Sequence, residues 1–308
     1  MPLISVVVPC YNEEEVLGKL YDELTRVAGL MDYVDFEYCF VDDGSSDRTL
    51  EMLRELSKRD ERVRFVSFSR NFGKESAMLA GLEMATGDYT AVMDADLQHP
   101  PALLPAMYEA VSKEGYDLCG GLRMGREGDS KLRGIFSRAF YKVSKKLTHM
   151  DMSDGHGDFR MMNRKVAEAI LEMKEYNRYM KGLFSFVGFD TKWIEYESVE
   201  RVMGKSKWNF KSLFSYAFEG ILSFSTAPLK LAGLIGCLLF AGGMTFMGIN
   251  LIQSIGTNGA ITGFDILIFA LLMLSSLQML FIYILGVYLS KDYLENKKRP
   301  VYIIKERG

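Results

Sequence analysis

Tyr89-Thr90-Ala91-Val92-Met93 runs directly into Asp94-Ala95-Asp96-Leu97-Gln98-His99-Pro100-Pro101. The first five residues are apolar or β-branched and read as a strand. The two carboxylates fall just past its end, and the proline pair stops the strand and opens a helix. The same alternation continues outward on both sides. Upstream, residues 3–8, 36–41 and 63–68 are short runs rich in Val, Ile and Phe, each a predicted strand. Between them Leu17, Leu20, Tyr21, Leu24 and Val27 recur at helical spacing, as do Leu50, Leu53 and Leu56, and 74–85 reads as a further helix. Asn12, with Glu15 three residues on, reads as the capping box of the first helix. Downstream, 116–120 is a fifth strand. Strands alternating with helices predict an α/β fold with a mostly parallel, Rossmann-like sheet. Ligands of such sheets bind beyond the carboxyl ends of the strands. The polar clusters Tyr11-Asn12-Glu13, Asp42-Asp43 and Asp94-Ala95-Asp96 all lie there.

Each cluster has a chemical reading and a plainer one. Asp94 and Asp96, one residue apart past a strand, suit a hard divalent cation, Mg²⁺ or Mn²⁺, shared with a diphosphate, and Gln98 can add an oxygen. They also suit an acidic turn. Asp42-Asp43-Gly44-Ser45 places a carboxylate against a base or ribose, or makes a turn with a cap. Ser69-Arg70-Asn71-Phe72-Gly73-Lys74-Glu75 brings two cations and a glycine to a strand end, which fits a phosphate or a loop equally. His99 either ligates a metal or caps the helix that follows.

Taken in order, these motifs resemble the family-2 inverting glycosyltransferases of GT-A fold. Pro9-Cys10-Tyr11-Asn12-Glu13, Asp42 to Asp47, Ser69 to Glu75 and Asp94 to Pro101 carry the likeness. Gly157-Asp158-Phe159-Arg160, Arg178-Tyr179-Met180-Lys181-Gly182 and the run from Arg201 to Trp208 are similar to the polyprenyl-phosphate branch, which includes bactoprenol glucosyltransferases and is related to dolichol-phosphate mannose synthase. His99 departs from the Asp or Asn usual after that Gln. The processive-synthase motif Gln-x-x-Arg-Trp is absent, which points to one sugar per acceptor.

The resemblance implies roles residue by residue. Pro9, Tyr11, Asn12, Glu13, Asp42, Asp43, Lys74 and Ala95 would contact the nucleotide sugar. Asp94 would serve both donor and metal, with Asp96 and Gln98 as further metal ligands. Arg123 and Arg133 would lie near the transferring phosphates, and Asp158 takes the position of the catalytic base. Arg201, Lys205 and Lys207 would meet a lipid phosphate; a dianionic head group needs such cations, although the trio also reads as an ordinary basic flank. The implied reaction is inverting transfer of a single sugar, glucose from UDP-glucose first, to undecaprenyl phosphate. Another sugar on the same lipid, or an inactive nucleotide-sugar-binding protein, are the alternatives.

Outside this region the chain changes character. In 131–147, Leu132, Ile135, Phe136, Ala139, Phe140, Val143 and Leu147 share one helical face. Lys131, Arg133, Arg138, Lys142, Lys145 and Lys146 occupy the rest, a pattern that fits either an anionic membrane surface or a core-packing helix. The stretches 231–252 and 266–290 carry no charge, and each as a helix is long enough for a bilayer core of roughly 30 Å. They predict a transmembrane hairpin over 228–252 and 264–290. The rest of the domain plan follows: a GT-A domain over 1–208, an interfacial helix over 209–227, an external loop over 253–263 and a basic tail over 291–308. Lys211 and Lys230 before the hairpin, and Lys291, Lys297, Lys298, Arg299, Lys305 and Arg307 after it, put the catalytic domain and both termini in the cytoplasm of a two-span membrane protein. Two spans are compatible with homo-oligomers.

Bulk properties exclude other classes. A net charge of −3 over 308 residues is no footprint for nucleic acid. Cys10, Cys39, Cys119 and Cys237 stand far apart, predicting reduced thiols rather than disulfides or zinc. The N-terminus has no secretory signal, as 3–8 is too short and contains Ser5.

Overall fold

The computed structural model describes residues 1–124, 156–176, 178–197 and 263–308, together with Leu234, Leu238, Gly242 and Thr245. Two compact units partition the chain: Met1–Phe214 with Pro300–Gly308, and Ser215–Arg299.

The first unit is built on one eight-stranded sheet. Its strands are β1 (Leu3–Cys10), β2 (Asp35–Asp42), β3 (Val63–Phe68), β4 (Tyr89–Val92), β5 (Leu118–Met124), β6 (His156–Asn163), β7 (Thr191–Glu197) and β8 (Ile304–Arg307). The order across the sheet is β7-β5-β6-β4-β1-β2-β3-β8. β1 to β4, β5 and β7 run one way; β6 and β8 run against them. The mostly parallel α/β expectation therefore holds. Helices α1 (Leu17–Ala28), α2 (Thr49–Arg59), α3 (Lys74–Met84), α4 (Leu104–Ser112, after a 3-10 turn at Pro101–Leu103), α5 (Arg164–Glu172) and α6 (Met180–Phe186) accompany the strands. The predicted fifth strand begins two residues late and runs four residues further, because Gly120 and Gly121 pair on into β6 and β7.

The core lies where the helices meet the sheet. Leu17, Leu20, Leu24 and Val27 of α1 are buried with Ile4, Val6 and Val8 of β1 and Tyr38 and Phe40 of β2. α3 packs unusually close: a Cβ at Gly81 would stand 2.2 Å from Cγ1 of Val7. That close approach seats the helix whose first residue is Lys74. The predicted capping box does not form. α1 starts at Leu17 with Val16 at its N-cap and no side-chain cap, and Asn12 adopts a left-handed φ of 54° instead. Its side chain serves a different loop, as described below.

β8 was not anticipated. It pairs antiparallel with β3, Val66 opposite Arg307. Arg54 grips Glu306 through two bonds, Nε to Oε1 at 2.8 Å and Nη2 to Oε2 at 2.5 Å. The Tyr302 ring stacks on Phe68 at 4.7 Å, and its hydroxyl donates to Glu83. Cys10, Cys39 and Cys119 are buried free thiols, as expected, and burial pushes Cys39 up to about 12 and Cys119 to about 11. Cys237 lies outside the described residues.

The second unit corrects the membrane expectation. Its described helix is α7 (Gly263–Asn296). Among the described residues no helix is long and apolar enough to cross a membrane. That overturns the two-helix hairpin, and with it the two-span membrane localisation. The sequence argument rested on two uncharged runs rich in Leu, Ile, Phe and Met. The uncharged stretch within α7 includes Gln278, Gly286 and Ser290, and the helix goes on through Lys291, Asp292 and Glu295. Most of 228–252, the interfacial helices at 131–147 and 209–227, and 253–262 lie outside the described residues.

Candidate active site

The β4–β6 pairing creates the site. Val92 stands opposite Arg160 in an antiparallel register. Two residues on along β4 is Asp94; two residues back along β6 is Asp158. Carboxylates more than sixty positions apart are thus brought to one seam. Lys74, at the start of α3, bridges them: Nζ lies 2.6 Å from Asp94 Oδ1 and 2.5 Å from Asp158 Oδ2. Burial opposes charge on these groups, but the pairing outweighs it. Asp158 and Asp94 hold the Lys74 ammonium well above its ordinary range. Lys74, then Lys181 and Arg160, hold the Asp158 carboxyl well below the usual carboxylate range. Arg160 is buried between aromatic faces, 4.6 Å from the Phe184 centroid and 5.3 Å from that of Trp193. Burial lowers it to about 10, so it remains charged at neutral pH.

The acidic loop after β4 is held by its own chain. Leu97 takes a left-handed φ of 58°, uncommon for a γ-branched side chain and costly by roughly 1 kcal/mol. Asp96 Oδ1 accepts the Gln98 N–H at 3.1 Å. His99 does not cap the turn that follows it. Its Nδ1 accepts the Asp94 N–H at 3.3 Å, which requires the Nε2–H tautomer. Its ring stacks on Phe159 at 5.4 Å and meets Tyr196 edge-on at 6.2 Å. Burial pushes the imidazole pKa down, so the ring is neutral. The following 3-10 turn has Pro100 at its N-cap and no side-chain cap.

At the ends of β1 and β2 the predicted nucleotide residues form a braced loop. Asn12 Oδ1 accepts the Ser46 N–H at 2.8 Å, while its own N–H donates to Ser45 Oγ at 3.0 Å. The Glu13 N–H donates to Thr49 Oγ1 at 2.9 Å. Asp42 is fully buried, with Oδ1 accepting the Ser45 N–H at 3.0 Å and Oδ2 the Ser67 hydroxyl at 2.6 Å. Asp43 accepts the Phe72 N–H at 2.6 Å and the Gly73 N–H at 2.9 Å. Burial lifts it to about 6 against the pull of those two donors. Gly44 has φ +68°, and a Cβ there would stand 2.4 Å from the Arg70 carbonyl carbon, so only glycine lets the two loops touch. The loop leading into Lys74 is therefore clamped from β2. Pro9 pairs with Val41, Tyr11 is partly exposed and Ala95 is buried.

Arg123 lies on β5 opposite Tyr196 of β7, and its Nε is buried with no hydrogen-bond partner among the described residues. Burial raises the Tyr196 phenol to about 12, so it keeps its proton. Arg133, Arg201, Lys205 and Lys207 lie outside the described residues. Tyr196 and the His99 contact escaped sequence reasoning. Tyr196 carried no signal, since an edge strand of alternating character offers no reason to single it out. Lys181 and Arg160 were visible only as members of motifs.

Among the described residues, no group of three or more His, Cys, Asp and Glu could hold a metal ion unaided. Two acidic residues completed by phosphate oxygens are nevertheless what Mg²⁺ ordinarily takes. The cation already seated on Asp94, an ammonium, marks that oxygen as a place where positive charge is stabilised. The donor set fits a metal bound together with a diphosphate.

Comparison with known proteins identifies the family. The profile described as "Glycosyl transferase family 2" matches residues 5–171. The "Putative glycosyltransferase CsbB" of Bacillus subtilis (strain 168) is 40% identical over 304 residues, 99% of this chain and 92% of that protein. The "Bactoprenol glucosyl transferase" of Shigella phage SfX is 38% identical over 306 residues, 99% of each chain. Among solved structures, glucosyl-3-phosphoglycerate synthase from Mycobacterium tuberculosis, in complex with Mn²⁺, UDP and phosphoglyceric acid, matches at TM-score 0.53 and 20% identity, covering 72% of this chain and 76% of that one. The fold is thus shared with that synthase. The profile match over more than half of the sequence and similarity running its whole length place this chain in glycosyl transferase family 2, as a glycosyltransferase.

Proposed function

We propose that this chain transfers one sugar, glucose from UDP-glucose first, to a polyprenyl phosphate such as undecaprenyl phosphate, with inversion and with Mg²⁺ or Mn²⁺. The observation that carries this reading is the Asp94–Lys74–Asp158 arrangement at the carboxyl end of the sheet. Its support is full-length similarity to proteins named bactoprenol glucosyl transferase.

Asp94 and Asp96, with Gln98, would hold the cation, which neutralises charge on the departing diphosphate. The chain's own part is mostly placement. His99 fixes the backbone at Asp94, and Asp43 fixes the loop that delivers Lys74. Lys74 and Arg123 offer positive charge to the phosphates. A phosphate monoester has a second pKa of about 6, so the lipid nucleophile is largely ionised at neutral pH. A strong base is not needed, and Asp158, held ionised by Lys74, is a weak one. Its task is to orient the acceptor or a sugar hydroxyl. Arg201, Lys205 and Lys207 are proposed to receive the lipid phosphate.

The test is label transfer from a panel of nucleotide sugars to undecaprenyl phosphate in detergent, with Mg²⁺, Mn²⁺ or chelator. Chelator-sensitive label in the organic phase from UDP-glucose supports the proposal. Label from a different donor only would reassign the sugar, and no transfer from any donor would overturn the acceptor.

A further inference from the structure

Lys74 lies on the oxygen a metal would use. Its Nζ is 2.6 Å from Asp94 Oδ1, and a Mg²⁺ ligand oxygen stands about 2.1 Å from its ion. An ammonium and a divalent ion do not share that lone-pair region without strong repulsion. Using the other Asp94 oxygen leaves the two cations only ångströms apart. Lys74 has somewhere to go, however: its side chain is 39% exposed, and Asp158 offers it a second carboxylate at 2.5 Å.

We propose that Lys74 is an internal competitor for the divalent cation, occupying Asp94 until a diphosphate arrives to share its charge. The inference deepens the metal-dependent reading above and rests on it. Its physical content is an ordering. A bare cation must displace an ammonium stabilised by two carboxylates and gains only Asp94, Asp96 and the neutral Gln98 in exchange. A cation arriving with a nucleoside diphosphate brings anionic oxygens that accept the displaced Lys74. Metal and nucleotide therefore bind with strong mutual coupling, and Lys74 is the residue that sets its size. The same device keeps a free cation from settling where it would serve no donor.

The experiment is a Mn²⁺ titration of the full chain followed by electron paramagnetic resonance, with and without UDP, for the parent, Lys74→Met and Lys74→Gln. The parent is expected to bind bare Mn²⁺ weakly and to gain at least tenfold in affinity with UDP. Both variants are expected to bind bare Mn²⁺ about tenfold more tightly than the parent and to lose most of the gain from UDP. Unchanged bare-Mn²⁺ affinity in both folded variants, with the parent still binding Mn²⁺ and UDP together, would overturn the competitor role and leave the metal reading standing. A parent that binds no Mn²⁺ even with UDP would bring down the metal reading and this inference with it. Two variants guard against one failing to fold, which circular dichroism checks.

Discussion

His99 Nδ1 accepts the backbone N–H of Asp94, so a side chain five residues downstream sets the direction of the acidic loop. Replacement by alanine leaves a buried donor without its partner and removes the ring stacked on Phe159. A buried unpaired donor costs about 1–3 kcal/mol, which if felt in the transition state is roughly 10- to 100-fold in rate. His99→Ala is expected to lose that much kcat, and His99→Asn, which keeps an acceptor, to recover part of it. Steady-state kinetics in which Asn and Ala fall equally would remove the hydrogen bond from the account.

Asp158 is held ionised far below neutrality by Lys74, Lys181 and Arg160. The pH–rate profile should therefore show no limb from this group between about pH 5 and 9. Asp158→Asn is expected to lower kcat by about 10²-fold or more, with the shape of the profile otherwise preserved. A variant within a few-fold of the parent would exclude an essential role for this carboxylate.

Asp43 titrates in a more accessible range. Burial raises its folded pKa from the ordinary aspartate range to about 6. The folded state thus holds its proton more tightly than the unfolded chain does. Its contribution favours folding at low pH and falls by something on the order of 3 kcal/mol as pH rises from about 4 to about 6. Function runs the other way. A protonated Asp43 is a poorer acceptor for the Phe72 and Gly73 N–H groups, so the loop before Lys74 loosens. Donor KM is expected to rise as pH drops below about 6, without a matching loss of melting temperature. Parallel loss of both would assign the effect to general unfolding.

Gly81→Ala should push α3 away from β1, since the added methyl meets Val7 Cγ1 at 2.2 Å. Overpacking of this kind costs about 1–3 kcal/mol. Because Lys74 opens the same helix, denaturant midpoint and kcat should fall together. A variant stable as the parent would show that Val7 can turn aside.

The β8 contacts predict a graded series. The Arg54–Glu306 pair is partly exposed, at 42% and 33%, so Glu306→Gln should cost no more than about 1 kcal/mol. Tyr302→Ala loses a stacked ring and a hydroxyl contact and should cost about 2 kcal/mol or more. Equal small effects in chemical denaturation would mean that the strand pairing, not the side chains, holds this segment.

Much of this was legible in the sequence because local rules and global fold agreed. β1, β2 and β3 are rich in Val, Ile and Phe, and α1 repeats its leucines at helical spacing, so pattern and burial pointed the same way. Asp94 and Asp158 could be named singly, but their facing positions depend on a register between β4 and β6 that no short-range pattern encodes. Asn12 shows the opposite case: a good capping-box pattern lost to two side-chain bonds with Ser45 and Ser46. β8 was hidden because Lys305, Glu306 and Arg307 read as a solvated tail, whereas pairing to β3 and the bond to Arg54 are tertiary. The membrane expectation rested on uncharged runs rich in Leu, Ile, Phe and Met, and among the described residues no helix is long and apolar enough to cross a membrane.

β3 and β8 are neighbours in space, yet residues 215–299 are made between them. The sheet's outer strand can be added only after the whole second unit has been synthesised, and the intervening loop carries an entropic cost that grows with its length. Until then β3 presents an open edge, with Phe65 and Phe68 beside it, to any other extended chain. A nascent or clipped chain is therefore expected to be the aggregation-prone species, and the return of Ile304–Arg307 is the step that closes the sheet against it.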